Sequence, residues 1–149
     1  DDLGGVEDED GVQFSGPLLA GQGVPVQIVA STNGLLNAWI DWNRNGTWTT
    51  AGQPDPLEQI FTNAPLTPGT NFLAVNVPGS ALAGPAYARF RFSTAADLGS
   101  VGLDPDGEVD DYRVCITALA DLRLVQNATP GTVATHHASS RCSRPLTTL

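Results

Sequence analysis

Glycine and proline are spread so evenly along this chain that one or the other interrupts almost every window long enough for an amphipathic helix. The sequence has 16 Gly and 11 Pro in 149 residues. Its apolar residues recur instead in short alternating runs bounded by turn residues, which is the pattern of β-strands. We predict strands at residues 24–30, 36–42, 58–62, 71–77, 86–93 and 111–117.

The run at residues 86–93 shows this alternation most clearly. One face would carry Tyr87, Arg89, Arg91 and Ser93, and the other Ala88, Phe90 and Phe92. We therefore expect the first face to be exposed to solvent and the second to be buried in the core. Short strands at this close spacing predict an all-β fold, an antiparallel β-sandwich of jelly-roll or immunoglobulin-like type. A hydrophobic content of 41% is enough for one domain with its own core.

The charge of the chain is strongly acidic, with 16 Asp and Glu against seven Arg and no Lys, for a net charge of -9. Nucleic acid is therefore excluded as a partner, because binding a phosphate backbone takes clustered cations. No apolar run approaches the roughly 20 residues that cross a bilayer, so we expect no membrane span. The absence of Met indicates a processed or excised piece of a longer product, and secretion would explain it.

The sharpest local motif is the loop at residues 41–46 (DWNRNG), which offers side-chain oxygens from Asp41, Asn43 and Asn45 before Gly46. Alternate oxygen ligands followed by glycine are typical of calcium loops. The glutamate that an EF-hand has six residues after the glycine is missing, since position 52 is Gly. The pattern therefore favours a calcium loop at a hairpin turn, and an ordinary Asn-Gly turn without metal is the alternative.

Two acidic clusters near the ends of the predicted domain raise the same question of whether a metal ion is bound. Six of the first ten residues are acidic, and residues 104–111 hold five more carboxylates. Carboxylates this close repel one another, so a folded protein keeps them solvated or neutralises them with a cation.

Four motifs in order resemble the GEVED domain family: residues 7–12 (EDEDGV), 38–48 (AWIDWNRNGTW), 88–93 (ARFRFS) and 107–114 (GEVDDYRV). The resemblance covers residues 6–117 and implies a non-catalytic β-sandwich module of secreted or surface-anchored bacterial proteins. Two departures are Asp110 at the fourth position of the namesake motif, and Asn43 and Asn45 where the family commonly has Asp. The two Asn retain oxygen ligands but remove charge, so we expect weaker calcium binding.

The resemblance also implies a set of calcium ligands. It supports Asp41, Asn43 and Asn45, the backbone of Thr47 as a further ligand, and Glu58 as the distal carboxylate. A second ion would be shared by the two acidic clusters, through Asp8, Asp10, Asp106, Glu108 and Asp110. The expected cofactor is therefore Ca²⁺.

An enzyme is not expected. The only histidines, His136 and His137, lie in a polar stretch without a nucleophile motif. Trp42 and Trp48 are candidate aromatics for stacking on sugars, which would make the chain a monomeric adhesive or carbohydrate-binding module of a larger secreted protein. Strand alternation opposes this in part, because Trp42 shares parity with Ile40 and at least one Trp is expected in the core.

The composition changes after residue 118. We expect a GEVED-like domain at residues 1–118 and an extended C-terminal segment at 119–149, which is polar and holds Pro130 and Pro145. Within it, residues 121–126 (DLRLVQ) are able to add a strand to the sheet edge of a neighbouring copy, giving a homo-oligomer or filament. The alternative is a disulfide between Cys115 and Cys142, within one chain or between two. The favoured interpretation is a calcium-stabilised extracellular structural subunit of a surface assembly, with surface glycans as a further partner.

Overall fold

The computed structural model describes residues 11–50, 53–102 and 107–118, and over these ranges the chain is all β. Its strands are β1 (Val12–Phe14), β2 (Leu18–Leu19), β3 (Gly23–Ala30), β4 (Gly34–Ile40), β5 (Thr49–Thr50), β6 (Gln53–Pro54), β7 (Gln59–Leu66), β8 (Gly69–Asn76), β9 (Gly84–Ser93) and β10 (Glu108–Thr117). Within these ranges no helix is long and apolar enough to cross a membrane.

Two packed sheets form the sandwich. The smaller has the order β1-β3-β8 and the larger β2-β10-β9-β4-β7, while β5 and β6 form a separate hairpin. All pairs are antiparallel except β2 with β10, which is parallel. The predicted fold class is confirmed, and the six predicted strands correspond to β3, β4, β7, β8, β9 and β10. The other four strands have only two or three residues, too few for an alternating pattern to identify.

The core lies between the two sheets, and burial alternates along β3 and β10 as the sequence predicts, whereas β4 is buried on both faces from Leu36 to Ile40. The larger sheet contributes Leu36 and Ile40 from β4, and the smaller sheet contributes Val26 and Val75, all fully buried. An aromatic stack joins the sheets. Phe90 packs edge-on against Phe14 of β1 at 6.3 Å between ring centroids, and against Tyr112 of β10 at 5.7 Å. Edge-to-face pairs of this kind add stabilisation beyond the apolar area that they bury.

The β4–β7 ladder is irregular, with register shifts between Leu36 and Trp39. At the shift Asn63 has a φ of 49°, a left-handed conformation that Asn tolerates better than most residues. Buried Asn37 donates to Asn63 Oδ1 (3.1 Å) and accepts the Asn63 backbone N–H (3.0 Å), so the irregular ladder still satisfies its polar groups. The shifts allow β7 to begin beside the end of β4, where the candidate site lies.

One prediction about β9 needs correction. The face with Arg89 and Arg91 was expected to be wet, yet Arg91 is only 2% exposed. The segment after β9 folds back over this face, and the Arg91 guanidinium donates to the carbonyl oxygens of Gly99 (2.8 Å) and Gly102 (3.0 Å). An arginine with a long apolar stem and five donors suits a covered position in which backbone carbonyls need partners.

Candidate metal site

The loop at residues 41–47 closes on the carboxylate of Asp41, the first residue after β4. Asp41 Oδ1 accepts the backbone N–H of Asn45 (3.0 Å), and Oδ2 accepts that of Gly46 (2.9 Å). The Asp41 backbone N–H in turn donates to the carbonyl of Tyr87 on β9 (2.9 Å). Asp41 is only 3% exposed, so the strand end holds a buried carboxylate at the base of the loop.

The loop conformation requires two left-handed residues, Arg44 with a φ of 57° and Gly46 with a φ of 80°. Arg44 then reaches β9 with its guanidinium, where Nη1 donates to the carbonyl of Ala83 and Nε to that of Pro85, both at 2.9 Å. Gly84 lies between these carbonyls with a φ of 127°, and a Cβ there would be 2.7 Å from Arg44 Nη1. Glycine at 84 therefore makes room for the side chain that anchors the loop.

Glu58 lies beside Asp41 because the chain before β7 is fixed by two backbone contacts. The Glu58 N–H donates to the carbonyl of Asp55 (3.1 Å), and the Glu58 carbonyl accepts the N–H of Ile40 at the end of β4 (2.9 Å). The side chain is 1% exposed, and neither carboxylate oxygen has a hydrogen-bond partner among the residues that the structure describes. A fully buried carboxyl group without partners is rare, because the lost hydration is not replaced.

Burial is the main cause that raises the pKa of Glu58 from 4.5 to about 7, and the negative charges of Asp41 and Asp55 contribute to that rise. The backbone N–H groups of Asn43 and Trp42 face this carboxyl group and oppose the rise, without completing a hydrogen bond to it. At neutral pH the position is therefore electrostatically costly for an ionised glutamate, unless a cation lies between Glu58 and Asp41.

These groups fit a hard divalent cation. Asp41 uses one hydrogen bond on each oxygen and retains further lone pairs, while both Glu58 oxygens have all of theirs. Ca²⁺ takes six to eight oxygen ligands, including carboxylates, amide and backbone carbonyls and water. Over the described ranges no group of three or more His, Cys, Asp or Glu side chains is placed to hold a metal. Asn or backbone oxygens and water would have to complete the coordination.

The remaining loop ligands face their own loop in this structure. Asn43 Oδ1 accepts the N–H of Asn45 (2.9 Å). Asn45 Oδ1 accepts the N–H (2.8 Å) and the hydroxyl (3.0 Å) of Thr47. Of the predicted set, the structure thus brings Asp41 and Glu58 together in the interior and places Asn45 and Thr47 on the exposed rim. Asp55, whose charge acts on Glu58, is an acidic neighbour that the sequence did not single out.

Only part of the second predicted site lies within the described residues. Asp8, Asp10 and Asp106 lie outside the described residues, while Glu108 is exposed and Asp110 half-buried at the start of β10. Their neighbour Asp111 is neutralised by a side chain, since Arg89 Nε donates to Asp111 Oδ1 at 2.6 Å and Nη2 donates to Oδ2. This pair was not predicted, because the two residues meet only through the β9–β10 register.

The two candidate aromatics are both engaged. Trp42 is 3% exposed and packs in the core cluster. Trp48 is half-buried, and the Arg89 guanidinium carbon lies over its ring, 4.5 Å from the centroid. Trp42 therefore offers no face to a sugar in this structure, and one face of Trp48 is covered.

The predicted disulfide and the C-terminal features lie at or beyond the limit of the described residues. Cys115 is half-buried on β10, whereas Cys142, residues 121–126, His136 and His137 lie outside. Pairing of Cys115 with Cys142 stays a prediction.

Comparison with known proteins identifies a family for most of the sandwich. A model of the GEVED domain matches residues 35–115, which include most of β4, the loop, Glu58, β9 and most of β10. Neither curated proteins nor solved structures give a match. The match covers more than half of the 149 residues, and the chain therefore belongs to the GEVED domain family.

Proposed function

We propose that the chain is a non-catalytic, calcium-stabilised structural module of an extracellular assembly, most directly a subunit of a self-assembling surface structure. The observation that carries the calcium part is Glu58, a carboxyl group buried beside Asp41 with no hydrogen-bond partner in the described part of the chain. Extracellular calcium is abundant enough to occupy the sub-millimolar to millimolar sites typical of secreted modules.

Calcium would stabilise the fold by replacing an unfavourable contact with a favourable one. Without the ion, Glu58 either binds a proton or remains charged in the interior beside Asp41. With the ion bound, both carboxylates become ligands. The ion then links the end of β4, the loop and the start of β7. An ion that binds only the folded chain stabilises it by mass action, by about 2.7 kcal/mol at a concentration 100 times the dissociation constant.

A structural role is favoured over sugar binding by the positions of the two tryptophans. Trp42 is in the core, and Trp48 is half-buried with one face covered by Arg89, so at most the other face of Trp48 is left for stacking on a sugar. A monomeric adhesive or carbohydrate-binding module remains the second candidate. The proposed location outside the cell is supported by the GEVED family membership and by a composition of 16 acidic residues with no Lys.

Thermal unfolding and sedimentation of the full chain, each in calcium and in excess chelator, test the two parts separately. We expect a higher melting temperature in calcium for the wild type and no such difference for Glu58→Gln. Glu108→Gln is the matched change at the second predicted ion, so it separates a calcium effect that depends on Glu58 from one that depends on the second acidic cluster. An equal melting temperature in both buffers would contradict the calcium role, and a single-chain mass in both would contradict assembly.

A further inference from the structure

The Asn-Gly pair occurs twice in the sequence, at residues 33–34 and 45–46. Asn is one of the chemically labile residues. In an Asn-Gly pair the backbone nitrogen of glycine attacks the amide carbon of the Asn side chain with little hindrance, because glycine has no Cβ. The reaction forms a five-membered imide and releases ammonia, and water then opens the imide to Asp or isoaspartate. The contacts around residues 45–46 favour this reaction.

The nucleophile of the second pair is held against a base. The Gly46 N–H donates to Asp41 Oδ2 at 2.9 Å, and Asp41 is only 3% exposed. When the Gly46 nitrogen attacks, its proton has to leave, and a carboxylate that already accepts this N–H is placed to take the proton. The N–H bond lies in the plane of the peptide, so the contact leaves the face of the nitrogen open to the side-chain carbon.

The amide group of Asn45 is polarised by the next turn of the same loop. Asn45 Oδ1 accepts two hydrogen bonds from Thr47, one from the backbone N–H at 2.8 Å and one from the hydroxyl at 3.0 Å. The first bond makes an Asx turn, which folds the side-chain amide back over the Asn45–Gly46 peptide. Negative charge develops on Oδ1 as the amide carbon becomes tetrahedral, and two donors directed at this oxygen stabilise that charge.

We propose that Asn45 is a site of self-catalysed deamidation, with Asp41 as the base and Thr47 as the source of both donors to the side-chain oxygen. The bond from Gly46 N to Asn45 Cγ forms, and the bond from Cγ to Nδ2 breaks. The Gly46 proton passes to Asp41 Oδ2 and, through solvent, to the leaving nitrogen, which departs as ammonia. One water then adds across the imide. Asn45 and Gly46 are both exposed, so water reaches the reacting atoms.

The first Asn-Gly pair provides a comparison within the same molecule. Asn33 is exposed, as Asn45 is. Among the described residues no hydrogen bond reaches the Asn33 side chain. Gly34 is the first residue of β4 and is paired with Leu66 of β7. The two pairs therefore have the same local sequence, and only the second has a base on its nucleophile and donors on its electrophile.

Conversion of Asn45 would change the charge of the loop. Aspartate at this position places a second carboxylate next to that of Asp41, whose Oδ1 accepts the Asn45 N–H at 3.0 Å. Calcium affinity depends on the number of charged ligands in a loop, so this product should bind the ion more tightly. Isoaspartate carries the same charge but lengthens the main chain, so it should distort the loop and weaken binding. This consequence rests on the proposed calcium function, whereas the conversion itself does not.

The inference is tested by incubating the folded full chain in chelator at pH 7.5 and measuring conversion by peptide mass spectrometry. A protease that cleaves after Arg separates the two pairs, because Arg44 is the first Arg in the sequence and lies between them. We expect Asn45 to convert about tenfold or more faster than Asn33 in the folded chain. In denaturant the two rates should become similar.

Two variants test the assigned roles. Asp41→Asn keeps an oxygen that accepts a hydrogen bond but removes the base, and Thr47→Val removes the hydroxyl donor while keeping the backbone donor. Each should slow the conversion of Asn45 and leave that of Asn33 unchanged. Thr47 lies on the exposed rim, so its variant is decisive if Asp41→Asn does not fold. Equal rates at Asn45 and Asn33 in the folded wild type would overturn the inference, as would an unchanged rate at Asn45 in either folded variant.

Calcium separates this inference from the proposed function. A bound ion takes lone pairs of Asp41, so saturating calcium should slow the conversion of Asn45 in the wild type. Equal rates in calcium and in chelator, with the dependence on Asp41 intact, would contradict the calcium role and leave the modification site standing. Calcium binding at the loop without faster conversion at Asn45 than at Asn33 would leave the calcium role standing and overturn the modification site.

Discussion

Arg89 on β9 and Asp111 on β10 are opposite one another in the ladder and form a two-point ion pair, with Nε donating to Oδ1 at 2.6 Å and Nη2 to Oδ2. The same guanidinium donates to the carbonyl of Ser100 (2.9 Å) and lies over Trp48. The pairing raises the pKa of Arg89, so the charge is present at every pH at which the protein is folded. The Arg89 side chain thus links β9 and β10 to the segments of Ser100 and Trp48, which cover the outer face of these strands.

Replacing Arg89 should cost more than a surface ion pair usually does. We expect Arg89→Met to lower the free energy of unfolding by about 1–2 kcal/mol, because it removes a two-point pair, a carbonyl bond and a stacking contact that are only partly exposed. Chemical denaturation measures the difference. Arg113→Met on β10 is the control, since Arg113 is exposed. Equal loss in both variants would show that charge rather than these contacts matters.

Stability in chelator should fall as the pH rises through the range set by Glu58. Its folded pKa of about 7 lies above the ordinary 4.5, so the folded chain binds the proton more tightly than the unfolded chain. The stabilising effect of that proton is complete below pH 4.5 and is lost by about pH 7, at most about 3 kcal/mol. Glu58→Gln should lack this loss.

Denaturation of wild type and Glu58→Gln at several pH values isolates the effect, because all other acids are common to both proteins. Saturating calcium should suppress the fall for the wild type, since a bound cation keeps Glu58 ionised at low cost. Parallel stability curves for the two proteins in chelator would contradict the assignment.

Gly84→Ala should disturb the loop from a distance. A methyl group at this position meets Arg44 Nη1 at 2.7 Å and the backbone has a φ of 127°, so we expect a loss of about 1–2 kcal/mol and weaker calcium binding through the displaced anchor. Denaturation and calcium titration measure the two effects. Gly79→Ala is the control, because a Cβ there meets nothing within 4 Å. Gly84→Ala with normal calcium affinity would show that Arg44 does not position the loop.

Asn37→Ala should destabilise the bulged ladder by about 1–2 kcal/mol, because it leaves the backbone N–H of half-buried Asn63 without its partner, while Asn63 Oδ1 still accepts the Asp97 N–H. Asn76→Ala is the matched change at an exposed strand position and should be nearly neutral. Thermal or urea unfolding compares them. Similar stability of the two variants would indicate that the bulge does not depend on Asn37.

The sequence predicted the long strands because each alternates over at least five residues, so burial on one face leaves a readable pattern. It did not predict that the outer face of β9 is covered. Arg91 occupies an alternating position typical of solvent, and only the return of the segment containing Gly99 and Gly102 buries it. A contact made by a loop that folds back 8 to 11 residues later leaves no periodic pattern in the strand.

The residues of the candidate site were also predicted only in part. The residue pattern identified Asp41 and the loop, and the family resemblance added Glu58. Neither indicated that Glu58 is buried without a hydrogen-bond partner among the described residues, because that depends on the register shifts between β4 and β7 that bring Glu58 next to Ile40. The Arg89–Asp111 pair depends in the same way on strand pairing, which a single sequence does not specify.

The most direct test of the calcium site is isothermal titration of the full chain with calcium at pH 7.5, for wild type, Asp41→Ala and Glu58→Gln. We predict that the wild type binds calcium at the loop. In both variants this binding should be lost, or weakened at least about tenfold. Glu108→Ala, which alters the second acidic cluster, should leave this site intact. Identical isotherms for the wild type, Asp41→Ala and Glu58→Gln would contradict the calcium site and, with it, the account of why Glu58 is buried.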